Sequence, residues 1–208
     1  MDGFCCTKIM NYRAILFDFD GVLCKGRFYR ETLLTNYREV YDWIQINIFS
    51  DKELIQRWMR NQIDSPEINK LIAKNTGIKY EVLGGLYQES VRKMELDKEV
   101  KELAKLLKIS GKKIGIVTDN MDVFTNITIS NHQLDTLFDV IVNSADHGLL
   151  KKDDNGKLFD LALDSLGESI ENSLMIDDSE SNIELYKQKG GRGFVYRNIE
   201  ELRSFLRV

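Results

Sequence analysis

The chain has 208 residues, 43% apolar and 30% charged, which is the composition of one globular domain or a core with a small insert and argues against disorder. Its 29 basic and 33 acidic residues leave a net charge of −4, giving no general attraction to nucleic acid or to an acidic membrane. No apolar run approaches the roughly 18 residues of a membrane span.

The start, Met1-Asp2-Gly3-Phe4-Cys5-Cys6, lacks a basic-then-apolar pattern, and three cysteines, two adjacent, make no disulfide framework. A reduced, cytoplasmic setting is therefore expected. The only histidines are His132 and His147, which excludes a three-histidine metal site. Neither Gly111-Lys112 nor Gly156-Lys157 has the earlier glycine of a phosphate loop, and no G-x-S-x-G elbow occurs.

In chain order, Ala14-Ile15-Leu16-Phe17 is a short apolar run that stops at Asp18-Phe19-Asp20-Gly21, the pattern of a strand buried on both faces. Residues 24–97 then read as helices: Phe28–Ile48, Lys52–Gln62, a segment opened by Ser65-Pro66-Glu67 with Ser65 as N-cap, and Tyr80–Met94. A crossover needs only about a dozen residues, so this stretch is expected to be an inserted helical subdomain serving as a lid. Residues 1–23 and 98–208 would form the core. Val100, Leu103, Ala104, Leu106 and Leu107 make a helical stripe ended by Gly111, followed by a strand over Lys113–Thr118. Further strands are expected at Phe138–Val142, Ser173–Ile176 and Gly193–Tyr196, with a helix through Phe159–Leu166 stopped by Gly167. This alternation predicts an α/β fold, a Rossmann-like parallel sheet with helices on both faces. In such sheets ligands bind beyond the carboxyl ends of the strands.

Those ends are where the chemistry gathers. Asp18 and Asp20 are two apart at a strand end, and two carboxylates this close call for a proton or a cation. Asp177-Asp178 ends another strand, and carboxylates from two strands, a phosphate and water would satisfy a magnesium ion. Thr118 closes the second strand, and Lys151 and Lys152 follow Gly148.

These four elements, in this order, resemble the haloacid dehalogenase-like hydrolase superfamily. Asp18-Phe19-Asp20-Gly21-Val22 matches its first motif and Ile114-Gly115-Ile116-Val117-Thr118 its second. Ser144, Gly148 and Lys151 match the third, and Met175-Ile176-Asp177-Asp178-Ser179, with Asn182 following, the fourth. The family often has proline after the lysine. Here Lys152 stands there, so Lys152 remains an alternative to Lys151. The resemblance implies Asp18 as nucleophile forming an aspartyl phosphate, and Asp20 as general acid and base. It implies magnesium on the Asp18 carboxylate, the Asp20 carbonyl and a carboxylate of the fourth motif, Asp178 directly or Asp177 in its place. Thr118 and Lys151 would hold the phosphoryl oxygens, with backbone N–H groups near Phe19 and Asp119 as further donors. Asn120 would contact substrate or metal-bound water, or cap the next helix. The dehalogenases of the family lack the second aspartate, because a halide leaves without a proton. Asp20 therefore points to phosphoryl transfer.

The insert resembles the helical cap of one branch of the family, with Lys25-Gly26-Arg27 and Leu96-Asp97 as hinges and Arg27 and Arg30 as basic candidates facing substrate or solvent. Tyr37, Tyr41 and Trp43-Ile44 read as cap core, Gly84-Gly85 as close packing or a helix break, and Cys24 as a small buried apolar residue. The expected function is a magnesium-dependent phosphatase acting on a small soluble phosphomonoester. The alternatives are a phosphomutase of the β-phosphoglucomutase type and a catalytically silent partner-binding protein on the same fold.

Overall fold

A computed structural model describes residues 12–208; the N-terminal reading at Met1–Cys6 lies outside the described residues. Five strands form one parallel sheet in the order β3-β2-β1-β4-β5. They are β1 (Ala14–Phe17), β2 (Lys113–Thr118), β3 (Val140–Asn143), β4 (Ser173–Asp177) and β5 (Arg192–Val195). Between β1 and β2 lie α1 (Arg30–Leu33), α2 (Arg38–Ile44), α3 (Lys52–Met59), α4 (Ser65–Thr76), α5 (Tyr80–Lys93) and α6 (Lys98–Ile109). Short helices α7 (Ile129–His132), α8 (Leu134–Leu137) and α9 (Ser144–His147) flank β3. After them come α10 (Lys157–Leu166), α11 (Glu180–Gln188) and α12 (Ile199–Leu206).

Alternation along β1 divides the core into two layers. Ile15 and Phe17 join α6 and α12 in one apolar cluster, while Ala14 and Leu16 join α10 and α11 in the other. Every residue of β1 is fully buried, as expected of a central strand in a doubly covered sheet. The first cluster runs on into the helical insert through Phe28, Tyr29, Trp58 and Tyr87.

Several local expectations shift. The third strand begins at Val140 rather than Phe138, because Asp139 Oδ2 accepts from Ile114 N at 2.8 Å and Phe138 turns inward, edge-on to Phe17. Asp64, not Ser65, is the N-cap of α4; with Glu67 it forms a reciprocal capping box that leaves Ser65 and Pro66 inside the first turn. The span Phe28–Ile48 divides into α1, α2 and a π-helical turn at Gln45–Phe49. Ile44 is buried and Tyr41 and Trp43 pack half-buried against the core, as expected, but Tyr37 is 37% exposed; the fully buried aromatics of the insert are Tyr29, Trp58 and Tyr87. Tyr29 and Tyr87 stack at 4.6 Å. Helix α5 passes unbroken through Gly84-Gly85, and a Cβ at either would meet nothing within 4 Å, so neither close packing nor a break explains them.

The two chain paths joining insert to core run side by side. Cys24 bridges to Leu96, and Asp97 N donates to Leu23 O at 2.8 Å. Gly26 is required there, since a Cβ would lie 2.8 Å from Met94 Cγ.

Candidate active site

Strands β1, β2 and β4 end together, and parallel register sets Phe17 beside both Ile116 and Ile176. One residue further on, Asp18 N donates to Ile176 O at 2.8 Å, holding the carboxylate at the centre of the sheet's carboxyl edge. Its Oδ1 accepts from Phe19 N at 2.7 Å, so that backbone donor is already engaged by Asp18 itself. The chain then folds back in a tight turn: Leu23 N and Cys24 N both donate to Phe19 O, and Gly21 N to Cys24 O. Gly21 has φ +79°, and a Cβ there would fall 2.2 Å from Asp178 Oδ2. Only glycine lets the Asp178 carboxylate approach this turn.

Lys151 is the centre of charge. Its Nζ lies 2.8 Å from Asp18 Oδ1 and 2.7 Å from Asp177 Oδ2, with the side chain 1% exposed. Lys152 points away and donates to Ser181 Oγ at the surface, so of the two lysines it is Lys151 that meets the carboxylates. Lys151 is held by its backbone as well, since its N donates to Asp119 Oδ1 at 2.7 Å. Burial disfavours the ammonium, but the carboxylates of Asp18, Asp177 and Asp119 outweigh it and raise its pKa.

Asp177 and Asp178 differ in commitment. Asp177 is fully buried and spends both oxygens inside the protein: Oδ1 accepts from Ser179 N at 2.8 Å, and Oδ2 from Lys151 Nζ and Asn182 Nδ2. Asp178 is exposed, and its carboxylate makes no side-chain hydrogen bond among the described residues. Carboxylate oxygens of Asp18, Asp177 and Asp178 nonetheless all lie within 4.8 Å of one another. Three hard oxygen donors so close, answered by one lysine, fit a divalent cation such as magnesium. By its free oxygens Asp178 fits direct ligation, while Asp177 fits orienting the lysine.

Asp20 Oδ2 accepts from Asn120 Nδ2 at 2.8 Å. Asn120 is itself fixed: its N donates to Ser144 Oγ and its Oδ1 accepts from Met121 N. Asn120 thus orients Asp20 and, through the Met121 bond, steadies the following loop. Burial pushes the Asp20 carboxyl up to about 7, with Lys151 opposing and Asp178 adding to the rise. Burial also raises Asp18 well above the usual carboxylate range, against the pull of Lys151, and raises Asp119 and Asp178. Thr118 is fully buried at the end of β2, and its Oγ1 has no hydrogen-bond partner among the described residues. A buried hydroxyl without a protein partner is available to a water or to a ligand oxygen. Cys24 is buried, with burial pushing its thiol up to about 11, so it behaves as an inert packing residue.

A cavity of about 470 Å³ opens beside these groups and reaches Asp20, Asp119 and Asp178 among them. Asp20, Gly21, Asp119, Met121 and Asp178 form its floor, and Phe28, Gln45, Phe49, Met59 and Met94 its roof. Arg27 reaches it; Arg30 does not line it. The roof is tied down by contacts that the sequence did not reveal. Asp122, just past β2, accepts from Ser65 N and Ser65 Oγ at the start of α4 and from Trp58 Nε1 in α3. Arg60 makes a two-pronged pair with Asp153, at 2.7 and 2.9 Å. Ser144 Oγ donates to Met59 O at 2.7 Å.

Clustered carboxylates, a buried lysine and an unpartnered hydroxyl thus meet at the carboxyl edge of a Rossmann-like sheet, an arrangement that fits an oxyanion together with a cation. A family model described as haloacid dehalogenase-like hydrolase matches residues 12–188, and the chain belongs to that family. It is similar in structure to a haloacid dehalogenase family enzyme from Bacteroides thetaiotaomicron, at 15% identity and TM-score 0.75, covering 95% of this chain and 100% of that one. A hydrolase of the same type from Porphyromonas gingivalis is 18% identical with TM-score 0.73, covering 95% and 99%. The Bacteroides enzyme is also known in complex with magnesium and inorganic phosphate; that structure is 14% identical with TM-score 0.66, covering 92% and 98%. At these identities the likeness establishes the fold. No curated protein matches the chain. Among the described residues no helix is long and apolar enough to cross a membrane.

Proposed function

We propose that this protein is a magnesium-dependent phosphatase of the helical-cap branch, with residues 24–97 as the cap, hydrolysing a small soluble phosphomonoester through an aspartyl phosphate on Asp18. The observation that carries this reading is Lys151 Nζ, buried and shared between Asp18 and Asp177, beside the free carboxylate of Asp178 and the unpartnered Thr118 hydroxyl. The magnesium-and-phosphate complex of the Bacteroides relative supports it by analogy.

In the first step an Asp18 carboxylate oxygen attacks phosphorus and the P–O bond to the leaving alcohol breaks. Asp20 gives its proton to the departing alkoxide. A carboxyl pushed up to about 7 still holds that proton near neutrality, and Asn120 aims it. Thr118 Oγ1 and Lys151 Nζ donate to the phosphoryl oxygens, Lys151 also screening Asp18 from the incoming dianion. In the second step Asp20, now ionised, takes a proton from water, whose oxygen attacks phosphorus and releases the Asp18 carboxylate and inorganic phosphate. Magnesium would be held by Asp18, Asp178 and the Asp20 carbonyl, and when bound it supplies the positive charge that lets a carboxylate meet a phosphate dianion. Dehalogenation does not require the proton that Asp20 is arranged to deliver.

Release of p-nitrophenol from p-nitrophenyl phosphate, measured with magnesium and with EDTA, tests the proposal. Wild-type turnover should require the metal, and Asp18→Asn should lower it by about three orders of magnitude or more. Undiminished activity in Asp18→Asn would remove Asp18 as nucleophile and the reading with it.

A further inference from the structure

The roof of the cavity is aromatic and sulfur-rich where a sugar site would be polar. Phe28 and Phe49 face the cavity, with Met59, Met94 and Met121 around them. The two phenylalanines are the outer members of a buried aromatic cluster. Phe28 packs edge-on to Tyr87 at 5.7 Å and tilted over Trp58 at 6.4 Å, and Phe49 stacks on Trp58 at 6.5 Å and meets Tyr29 at 6.5 Å. Behind them, Trp58 Nε1 donates to Ser65 Oγ and Tyr29 Oη to Asn69 Oδ1, so the cluster cannot rotate freely. The wall is thus fixed before any ligand arrives, which lowers the cost of packing a flat group against it. The π-helical turn at Gln45–Phe49 matters here: both of its ends line the cavity, so one turn of helix delivers a ring and an amide to the same space. The Gln45 side chain makes no hydrogen bond among the described residues and is free to bind a ligand.

A polyhydroxylated ring would bury several hydroxyls against phenylalanine and methionine, and each buried hydroxyl without a partner is costly. A planar ring would find aromatic faces and polarizable thioethers on several sides, with the Gln45 amide among them and Lys25 and Arg27 at the edge toward the core as the polar groups for its substituents. Resting on the phosphatase reading above, we propose that the organic part of the substrate is an aromatic or heteroaromatic ring that packs against Phe28 and Phe49, with Gln45 binding a polar substituent on it. Specificity is set by the cap wall, and the phosphoryl end is common to all substrates.

The test compares esters with matched leaving groups. A 2-naphthylmethyl phosphate and a hexose 6-phosphate both release a primary alcohol, so their ratio of kcat/KM reports recognition of the organic part. With magnesium present, the arylmethyl ester should be preferred by about tenfold or more. Phe49→Ala should cut that preference by about tenfold, mainly through KM, with circular dichroism verifying the fold. Preference for the hexose ester, or an unchanged ratio in folded Phe49→Ala, would overturn the inference and leave the phosphatase reading standing. Hydrolysis of neither ester, nor of p-nitrophenyl phosphate, would overturn both.

Discussion

Replacing Lys151 by methionine tests the electrostatic core of the site. Lys151 is 1% exposed, and its two partners, Asp18 and Asp177, are 7% and 0% exposed. Methionine occupies nearly the same unbranched volume, so packing should change little while the cation between two buried carboxylates is removed. The two anions are not equally stranded. Among the described residues Asp177 keeps Ser179 N and Asn182 Nδ2 as donors, whereas Asp18 keeps Phe19 N. Removing one partner of a buried ion pair costs about 3–5 kcal/mol, and uptake of a proton by the stranded carboxyl holds the loss toward the lower end of that range. Urea unfolding of metal-free Lys151→Met at neutral pH should show this loss. Adding Asp18→Asn to the same chain should restore most of it, because the amide has no charge to strand. If Lys151→Met lost less than about 1 kcal/mol, or if Asp18→Asn failed to rescue it, the buried carboxylates would not be depending on this lysine.

Gly21→Ala should weaken magnesium activation by about tenfold or more in a metal titration of activity, because the new methyl displaces the Asp178 carboxylate. Unchanged magnesium dependence would show that Asp178 is not a ligand. Asp122→Ala should destabilise the protein by about 1–3 kcal/mol in urea, since it leaves Ser65 N without its acceptor while Trp58 Nε1 keeps Ser65 Oγ; an unaltered midpoint would refute that anchoring. Asp153→Asn removes the two-pronged pair with Arg60, which holds the Asp153 carboxyl below its ordinary 3.8. A depressed carboxyl contributes stability that is complete above its unfolded pKa and lost as pH falls through the folded one. The variant should therefore be less stable by about 1 kcal/mol at neutral pH, with the gap shrinking as pH falls below 3.8; a gap that does not shrink in acid would exclude the ion pair as its cause.

The sheet could be read from the sequence because each strand carries its own signal. Ala14–Phe17 and Lys113–Thr118 are short apolar runs stopped by aspartate, and the structure forms strands over those same residues. The edges blurred where a side chain took over a backbone bond, as Asp139 does with Ile114 N, or where two capping residues were neighbours, as Asp64 and Ser65 are. The helical insert was harder. Its helices follow from periodicity, but periodicity does not rank the half-buried Tyr41 and Trp43, or the exposed Tyr37, below the fully buried Trp58. Which aromatic residue lies deepest is decided by how helices cross, and one sequence does not record that. The π-helical turn at Gln45–Phe49 leaves no compositional mark either.

The carboxyl edge of the sheet shows the same division between local and distant information. Asp18, Asp20, Thr118 and Asp177-Asp178 were visible because each ends a strand, and a parallel sheet gathers strand ends at one edge whatever the loops do. Lys151 sits on a loop, where neighbouring Lys152 is chemically equivalent. Only the anchoring of its backbone N to Asp119 Oδ1, and of Leu150 N to Asp153 Oδ2, turns the first lysine inward and the second outward. Asp153 then extends from that loop to Arg60, which follows α3 in the roof. The loop that carries Lys151 is thus also the loop that ties the helical insert to the core. Residues 60 and 153 make that tie across 93 positions of sequence, at a pairing that no spacing rule anticipates.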